Sequence, residues 1–563
     1  MDTTRHPAVA ERLAGLAADQ RAAATSPPGP VLCVAPAGSG KTTTLVARVA
    51  WLVDGGRNPG TITVVAFNKR AAEELTARLD AALAPLGVAA GAVRVRTFHA
   101  LGRELLAEAG VAVEPLVDRD ELLRELWPET TSADRGRLDL AFSRLKLDLR
   151  VTADEVATDP APGPVARAFI AYERAVAASG GVDFDDLVVR ALRLLHADAA
   201  VLARWRRRCA ELLVDEAQDL DRTQLELALL LAAPANQVFL VGDDDQTIYG
   251  WRLADVRRVL GLAGSLPGLR RVDLVTNYRC PAPVVARAVR LVEHNAERFA
   301  KRIVARPGAG GRLVLAPDAS DEVPRIRRAM TTWPADDAPR AILARTNREL
   351  LAAVIAALEL GLPFRAPDLP LPVEDLRLDG LLDRLDGLAG AWPGAPLLPL
   401  LGRLRDDVAS EVPPEGGATD GTAPAEDGPT PADLVAALLG WAPGLGDGGV
   451  AALRDAVMAR RDLLGRLRRE DAALTLATAH GTKGLEWDHV IVLADGFPGR
   501  RSIADAAEPG RAFEEERRLA YVAWTRARRS LTLLFDPAAP SPFLLEAFDP
   551  DELGVPADTA AAA

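Results

Sequence analysis

A glycine-rich turn between a predicted strand and a predicted helix constrains the fold of this chain more than any other feature. The apolar run 31–35 leads directly into Pro36-Ala37-Gly38-Ser39-Gly40-Lys41-Thr42, after which apolar residues recur at helical spacing. The two glycines allow main-chain N–H groups to surround a phosphate, and the start of a helix attracts an anion. Lys41 can reach the outer phosphates and Thr42 can ligate Mg²⁺. This order predicts a parallel α/β sheet with a nucleotide site at residues 35–42, in which Ala35 replaces the usual first glycine.

A second apolar strand, 211–214, ends in two adjacent acids, Asp215 and Glu216. Beside a phosphate-binding turn, this pair suits Asp215 as a Mg²⁺ ligand and Glu216 as the residue that orients the attacking water. Taken alone, the same residues also fit an ordinary turn at the end of a strand. Because phosphoryl transfer depends on charge stabilisation, arginines are expected near the site, and the candidates are Arg279 and Arg526.

The loop 242–252 follows a third apolar strand, 237–241, and combines three acids, an amide, two aromatic residues and an arginine. Gln246 can hydrogen-bond a phosphate, whereas Tyr249 and Trp251 can stack on bases. One loop is therefore predicted to touch both a nucleotide and a nucleic acid. The alternative is an acidic turn whose aromatic side chains pack against a neighbouring helix.

Arginine supplies most of the positive charge. The 67 basic residues include only five lysines, Lys41, Lys69, Lys146, Lys301 and Lys483. A planar guanidinium does not replace a three-donor ammonium at a tight phosphate site, so some of these positions are predicted to need lysine chemically. Three of the five fall within motifs, whereas chance is the alternative for Lys146 and Lys301.

Charge and cysteine content limit the function classes. The net charge of −12 argues against a broadly basic surface, although a local arginine-lined groove can still bind phosphates. Cys33, Cys209 and Cys280 are far apart, which argues against a zinc ribbon or a disulfide framework and fits a reducing compartment. The N-terminus lacks an apolar signal region, and no apolar run reaches transmembrane length. We therefore expect a cytoplasmic protein without a membrane partner.

Taken in order, these segments and several others resemble the motifs of the UvrD/Rep/PcrA group of superfamily 1 helicases. The further matches are Ala18-Asp19-Gln20, Ala66-Phe67-Asn68, Thr97-Phe98-His99, Asp183-Phe184-Asp185-Asp186, Thr276-Asn277-Tyr278-Arg279, Ala344-Arg345-Thr346-Asn347, the run 480–487 and the run 516–527. One segment and one single residue depart from the family pattern. Asn68-Lys69-Arg70 stands in place of the usual Thr-Asn-Lys, and Leu253 replaces a usual glycine.

The resemblance implies ATP and Mg²⁺ as cofactors and a role for each matched residue. It implies that Gln20 and Tyr278 contact adenine, that Glu486 contacts the nucleotide sugar, and that Gln246, Arg279 and Arg526 reach the γ-phosphate. The implied DNA contacts are Phe67, Thr97, Phe98, His99, Tyr249, Trp251, Arg252, Arg345, Asn347, His480 and Lys483.

Strand-like runs that alternate with helical stretches predict an α/β fold of two RecA-like P-loop lobes with mainly helical insertions. We expect lobe 1A at 1–97 and 183–280, its helical insertion 1B at 98–182, lobe 2A at 281–365 and 471–548, a reduced 2B-like insertion at 366–470, and a C-terminal tail at 549–563. The Pro- and Gly-rich tract 412–431 is expected to be a disordered linker. The family's strand-separating hairpin near the sixth motif looks reduced.

The resemblance implies an ATP-dependent 3′-to-5′ helicase or translocase that moves on single-stranded DNA or 3′-tailed duplex in DNA repair or recombination. The alternative is a translocase or ATP-dependent switch subunit of a repair or defence complex, with partner proteins, that does not unwind duplex alone. The reduced insertion favours that alternative. A P-loop enzyme acting on a small molecule is a remoter one, because it leaves Trp251, His99 and the run 480–487 without a role.

Overall fold

The strand that precedes the glycine-rich turn lies inside a parallel sheet of six strands in the computed structural model. The structure describes residues 6–367, 369–411, 429–445, 448–504 and 506–555. Their contacts divide the chain into two units, Met1–Ala309 and Gly310–Ala563. Each unit contains one six-stranded parallel sheet, which confirms the predicted α/β fold class.

The first sheet has the order β3-β2-β4-β5-β1-β6. Its strands are β1 (Val31–Val34), β2 (Ile62–Val65), β3 (Arg94–Arg96), β4 (Glu211–Val214), β5 (Val238–Gly242) and β6 (Arg270–Asp273), and a separate parallel pair contains β7 (Thr276–Asn277) and β8 (Val304–Ala305). Because β4, β5 and β1 are neighbours, the residues that follow them meet at one edge, which is where ligands bind in open α/β sheets. The three predicted motifs are therefore brought together.

The helices of the first unit are α1 (Pro7–Ala14), α2 (Ala18–Ala24), α3 (Lys41–Asp54), α4 (Lys69–Leu83), α5 (Phe98–Glu108), α6 (Arg119–Leu126), α7 (Ser132–Ser143), α8 (Ala153–Val156), α9 (Pro164–Ala178), α10 (Asp186–Ala197), α11 (Ala199–Arg208), α12 (Arg222–Ala232), α13 (Val256–Leu260), α14 (Leu262–Ser265) and α15 (Ala282–Val292). Those other than α6 to α9 and α15 pack on the two faces of this sheet in two separate apolar clusters. Side chains cap the N-termini of α4 and α5. The side chain of Asn68 accepts from the N–H of Ala71, and that of Thr97 accepts from the N–H of Ala100.

The segment 98–182 is mainly helical. Its first helix, α5, packs into the core of the lobe through Leu101 and Leu105. The later helices instead enclose a small core of their own, formed by Leu123, Phe142, Phe169, Tyr172 and Val176. Only the part of the insertion that follows α5 therefore forms a separate apolar core.

The second sheet has the order β11-β12-β10-β13-β14-β9. Its strands are β9 (Arg312–Pro317), β10 (Arg340–Ala344), β11 (Phe364–Arg365), β12 (Leu474–Thr478), β13 (Trp487–Leu493) and β14 (Ala527–Phe535). The helices of this unit are α16 (Glu322–Thr331), α17 (Asn347–Glu359), α18 (Arg377–Ala391), α19 (Leu397–Glu411), α20 (Pro431–Trp441), α21 (Gly449–Leu467), α22 (Arg500–Ala504), α23 (Pro509–Trp524), α24 (Pro542–Ala547) and α25 (Pro550–Leu553).

Helices α18 to α21 occupy the predicted 2B-like insertion, and they do not form a core of their own. Leu382, Leu401, Leu438 and Leu453 join the same apolar cluster as Ile342 of the sheet. Among the described residues every strand pairing is parallel, so that part of the chain contains no antiparallel β-hairpin. None of the described helices combines the length and apolar character needed to cross a membrane.

The boundary between the units falls after Ala309, whereas the sequence analysis placed it at 280/281. Helix α15 and β8 stay with the first unit because β8 pairs with β7 and because Lys301 binds the acids after β5. Most of the predicted linker, residues 412–428, and residues 556–563 of the predicted tail lie outside the described residues.

Candidate active site

The turn between β1 and α3 has the backbone of an anion cradle. Gly38 and Gly40 have φ values of +67° and +86°, in the left-handed region that favours glycine. A Cβ added at Gly38 would lie 2.7 Å from Cβ of Arg279, and one added at Gly40 would lie 2.6 Å from Nε2 of Gln20. Oγ of Ser39 is buried without a hydrogen-bond partner among the described residues. The site thus offers an unused donor and the start of a 14-residue helix to a phosphate.

Side chains on both sides of the turn hold it in place. Nδ2 of Asn277 donates to the carbonyl of Ala37 at 2.7 Å, and the N–H of Tyr278 donates to the carbonyl of Gly38 at 2.8 Å. Gln20 donates from Nε2 to the carbonyl of Ser39 at 2.8 Å. The predicted adenine contacts, Gln20 and Tyr278, are therefore both adjacent to the turn. Asn277 received no role from sequence reasoning, and its only signal was a polar residue inside a quoted motif.

The acids after β4 lie next to the lysine of the turn. Nζ of Lys41 is 3.6 Å from Oε1 of Glu216. Glu216 has a φ of +50°, an uncommon conformation for a residue with a side chain, and strained backbone of this kind occurs at functional sites. The preceding Asp215 is largely buried, and its carboxylate accepts the N–H of Glu216 at 3.0 Å. The arrangement places a candidate metal ligand and a candidate base on consecutive residues.

Gln218 connects this pair to the loop after β5. It donates from Nε2 to Oε2 of Glu216 at 2.6 Å, and its Oε1 accepts the N–H of Asp243 at 3.0 Å. Asp243 in turn accepts from Nε2 of Gln246 at 2.6 Å. A continuous hydrogen-bonded path therefore runs from Glu216 to the predicted phosphate sensor Gln246. Gln218 was absent from the predicted site residues, although it lies within the same motif.

The remainder of this loop forms an aromatic face. The rings of Phe67 and Tyr249 stack with centroids 5.2 Å apart, and Trp251 meets Tyr249 edge-on at 6.1 Å. The guanidinium of Arg252 lies 4.5 Å from the centroid of the Trp251 ring. Leu253, which replaces the family's glycine, has a φ of +65°. Four of the predicted DNA contacts are thus brought together on one surface.

A second aromatic pair includes a residue that the sequence analysis did not select. The rings of His99 and Phe184 stack with centroids 3.9 Å apart, and Phe184 is 54% exposed. Thr97 caps α5, and Phe98 at its first position is buried in the core of the lobe. The side chain of Phe98 is therefore not available to a ligand in this structure, whereas Phe184 is. The signal that could have identified Phe184 is an aromatic residue between two acids.

The stacked His99 is predicted to lack charge at neutral pH. Burial, reinforced by Arg252, lowers its pKa to about 4 against the opposing attraction of Asp185. Since the folded pKa lies below the unfolded value of about 6.5, the stabilisation from neutral His99 is fully present above that pH and is lost as the pH falls to about 4. Between about pH 7.5 and about pH 5, wild type should lose on the order of 1 kcal/mol more stability than His99→Phe, measured as denaturation midpoints at both pH values. Equal losses in the two proteins would contradict the assignment.

Arg345 of the second unit is held by protein groups. Its Nε and Nη2 donate to the carboxylate of Glu516 at 2.8 and 2.6 Å, and Nη2 also donates to Oγ of Ser502. Its side chain is 10% exposed. Asn347, two residues later, begins α17 and is half-buried. The Arg345 guanidinium therefore has a structural partner in addition to its predicted DNA contact.

The later predicted residues of this unit lie between β12 and β14. The Arg526 side chain is fully buried and donates from Nε to the carbonyl of Val522 at 2.8 Å and from Nη1 to that of Leu485 at 3.2 Å. Glu486 lies 3.0 Å from Nη2 of Arg528. Burial, together with Arg345, lowers the pKa of His480 to about 3, so this side chain is neutral at physiological pH. Lys483, three residues on, is half-buried.

The two parallel sheets, the glycine-rich turn with Lys41, and the acids after β4 define a P-loop NTPase fold with RecA-like units. Residues 16–267 match the UvrD/REP helicase N-terminal domain, and residues 458–536 match the UvrD-like helicase C-terminal domain. The chain belongs to the UvrD/Rep/PcrA-like helicase family.

Three relatives illustrate the match. The chain is 31% identical over 371 residues to DNA helicase II of Salmonella typhimurium, covering 62% of this chain and 50% of that protein. It is 32% identical over 314 residues to ATP-dependent DNA helicase PcrA of Leuconostoc citreum, with 53% and 42% covered. It is 32% identical over 301 residues to ATP-dependent DNA helicase Rep of Escherichia coli, with 51% and 44% covered. The chain thus spans about half the length of the curated relatives it matches.

Proposed function

We propose that the protein is an ATP-driven motor that moves 3′ to 5′ along single-stranded DNA and acts in DNA repair or recombination. The observation that carries the proposal is the single loop 243–252. Its Gln246 is joined through Asp243 and Gln218 to Glu216, and its Tyr249 and Trp251 belong to the aromatic face. A change at the nucleotide can therefore alter the surface proposed to stack on bases, as a translocating motor requires.

The residues of the turn suit ATP and Mg²⁺ chemically. Thr42 and Asp215 offer hydroxyl and carboxylate oxygens, the donors that Mg²⁺ prefers, and would hold the ion. Bound there, Mg²⁺ would neutralise charge on the phosphates. Glu216 would take a proton from the attacking water, and Lys41 and Arg279 would stabilise the developing negative charge. A cytoplasmic location is part of the proposal, supported by three buried cysteines that form no disulfide with one another.

The deciding experiment is steady-state ATP hydrolysis by the full chain with and without a single-stranded oligonucleotide. Because the loop 243–252 joins the nucleotide site to the aromatic face, we expect the rate of ATP hydrolysis to rise with DNA concentration to a plateau. Turnover that is indifferent to single-stranded DNA would contradict the proposal.

Stacking on the aromatic face predicts a specific DNA defect. Base stacking is worth roughly 1–3 kcal/mol per base, so Trp251→Ala should weaken single-stranded DNA binding about 5- to 150-fold, measured by fluorescence anisotropy. The matched control is Trp392→Ala, which removes another partly exposed Trp, one that lies in the insertion of the second unit and contacts Arg403. Equal loss in both variants would argue against a role for the aromatic face.

A second candidate function is a translocase or ATP-dependent switch subunit of a repair or defence complex. It is favoured by the reduced insertion, which shares the core of its lobe, and by the purely parallel pairings of the described strands. Strand displacement on a 3′-tailed duplex separates the candidates. Robust unwinding by the isolated chain would favour the helicase, whereas DNA-stimulated hydrolysis without unwinding would favour the subunit.

A further inference from the structure

Two lysines outside the motifs each bind three acidic residues. Nζ of Lys301 lies 3.0 Å from Oδ1 of Asp243 and 2.9 Å from Oδ2 of Asp245, and it also contacts Oδ1 of Asp244. The Lys301 side chain is 0% exposed. Lys146 shows the same chemistry elsewhere in the unit, with Glu173, Asp183 and Asp186 at 3.0, 2.9 and 2.7 Å. Both ammonium groups are therefore held in place by the protein.

The negative charge of three consecutive buried carboxylates needs a nearby positive charge, and the single ammonium group of Lys301 contacts all three. An ammonium group has three donors, which matches three acceptors, whereas the planar guanidinium of arginine does not fit this arrangement. Burial alone would lower the pKa of Lys301, but Asp245, Asp243 and Asp244 raise it above the usual lysine value. Lys301 thus remains charged at physiological pH.

The segment that carries Lys301 closes this acidic row from one side. Arg298 donates to Asp245 from Nε and Nη2 at 3.0 and 2.8 Å. The N–H of Phe299 donates to Asp244 at 2.8 Å. Residues 298–301, more than fifty positions along the chain, therefore fasten the start of the loop 243–252 through backbone and side-chain bonds.

Asp243 is the point where this fastening meets the active site. Its Oδ1 accepts from Lys301, its Oδ2 accepts from Gln246, and its N–H donates to Gln218, which holds Glu216. Removal of the ammonium would leave Oδ1 with only the N–H of Asp245, at 3.2 Å, and would leave three adjacent buried carboxylates without their shared cation. Repulsion among these carboxylates would then favour movement of the Asp243 side chain away from its place beside Gln246. The orientation of the phosphate sensor therefore depends on a residue that touches neither ligand.

We infer that Lys301 is a positioning residue that holds the loop 243–252 in the conformation that couples ATP hydrolysis to DNA contact. The inference deepens the proposed function and rests on it for its kinetic consequences. The inference also predicts that Lys301 keeps the loop ordered, and this order can be measured in a protein that is not hydrolysing ATP.

The first test is hydrogen exchange of the full unliganded chain. Lys301→Met should increase exchange of the amides at 243–252 while the amides of β1 and β4 exchange as in wild type. Lys146→Met is the matched control, because it also removes an ammonium from three carboxylates, and it should leave 243–252 unchanged. Unaltered exchange of 243–252 in Lys301→Met would overturn the inference. If that variant does not fold, the double variant Lys301→Met/Asp244→Asn, which retains less unpaired buried charge, takes its place.

The second test measures ATP binding and ATP turnover separately in the same variants. Lys301→Met should lower DNA-stimulated kcat about 10- to 100-fold, as expected for misplaced catalytic groups, while the Kd for a fluorescent ATP analogue stays within about twofold. Lys301→Arg should not restore kcat, and Lys146→Met should keep the wild-type kcat at saturating DNA. Full kcat in Lys301→Arg, or an equal loss in Lys146→Met, would overturn the inference. A wild-type protein without DNA-stimulated hydrolysis would refute the proposed function instead, and the exchange experiment would still decide the role of Lys301.

Discussion

Replacement of Glu216 by glutamine should lower ATP turnover about 10²- to 10⁴-fold, the range expected for loss of a general base. In the wild type, Nε2 of Gln218 donates to Oε2 of Glu216 at 2.6 Å. The amide of the variant keeps the shape of the side chain and an oxygen that can accept this hydrogen bond. It cannot, however, take a proton from water. Because the glycine turn and its anchors are untouched, binding of ATP should change by no more than a few fold.

Measurements of kcat and of the Kd for a fluorescent ATP analogue check this prediction together. Glu211→Gln is a matched control, since Glu211 lies at the opposite end of the same strand and is paired with Arg57 at 2.9 Å. That variant should hydrolyse ATP at a rate close to wild type. Normal turnover by Glu216→Gln would remove this residue from its proposed role, and loss of ATP binding would show that its role is structural.

The order of motifs was sufficient to predict the α/β fold and to select most of the residues that meet at the candidate site of the first unit. Residues predicted on three separate strands meet because parallel strands present their carboxyl ends at one edge, a rule that needs no side-chain detail. Sequence reasoning also grouped Phe67, Tyr249 and Trp251, and the structure places their rings in contact. Family membership, once shown, explains why these segments occur in this order.

What the sequence could not predict depends on long-range burial. Nothing local distinguishes Phe98, which enters the core, from Phe184, which stays exposed, because the direction of each ring is set by packing of its helix or turn. Lys146 and Lys301 have no motif around them, and their roles follow from acids brought close by the fold. The boundary after Ala309 has the same origin, since it depends on the contacts of Lys301 and β8.

The second large effect is expected at the turn itself. Gly38→Ala should weaken ATP binding about 30- to 1,000-fold, or about 2–4 kcal/mol, because one or two hydrogen bonds to phosphate would be lost or misdirected at roughly 1.5–3 kcal/mol each. The added methyl group would lie 2.7 Å from Cβ of Arg279 and 3.1 Å from the side-chain amide of Asn277. Arg279 Cβ cannot rotate away, since its position is set by the backbone. The turn would therefore have to move from its anchors, and titration with a fluorescent ATP analogue measures the result.

Gly87→Ala is a control that separates the steric clash of a Cβ at position 38 from the backbone strain of a left-handed residue. Gly87 has a similar φ of +74°, but an added Cβ there meets nothing within 4 Å. Both substitutions cost about 1–2 kcal/mol of left-handed strain, so both should lower the denaturation midpoint, whereas Gly38→Ala alone should lose ATP binding. Wild-type affinity in Gly38→Ala would mean that the turn can move without cost. Such a result would also show that close packing of Gly38 against Cβ of Arg279 is not required for ATP binding.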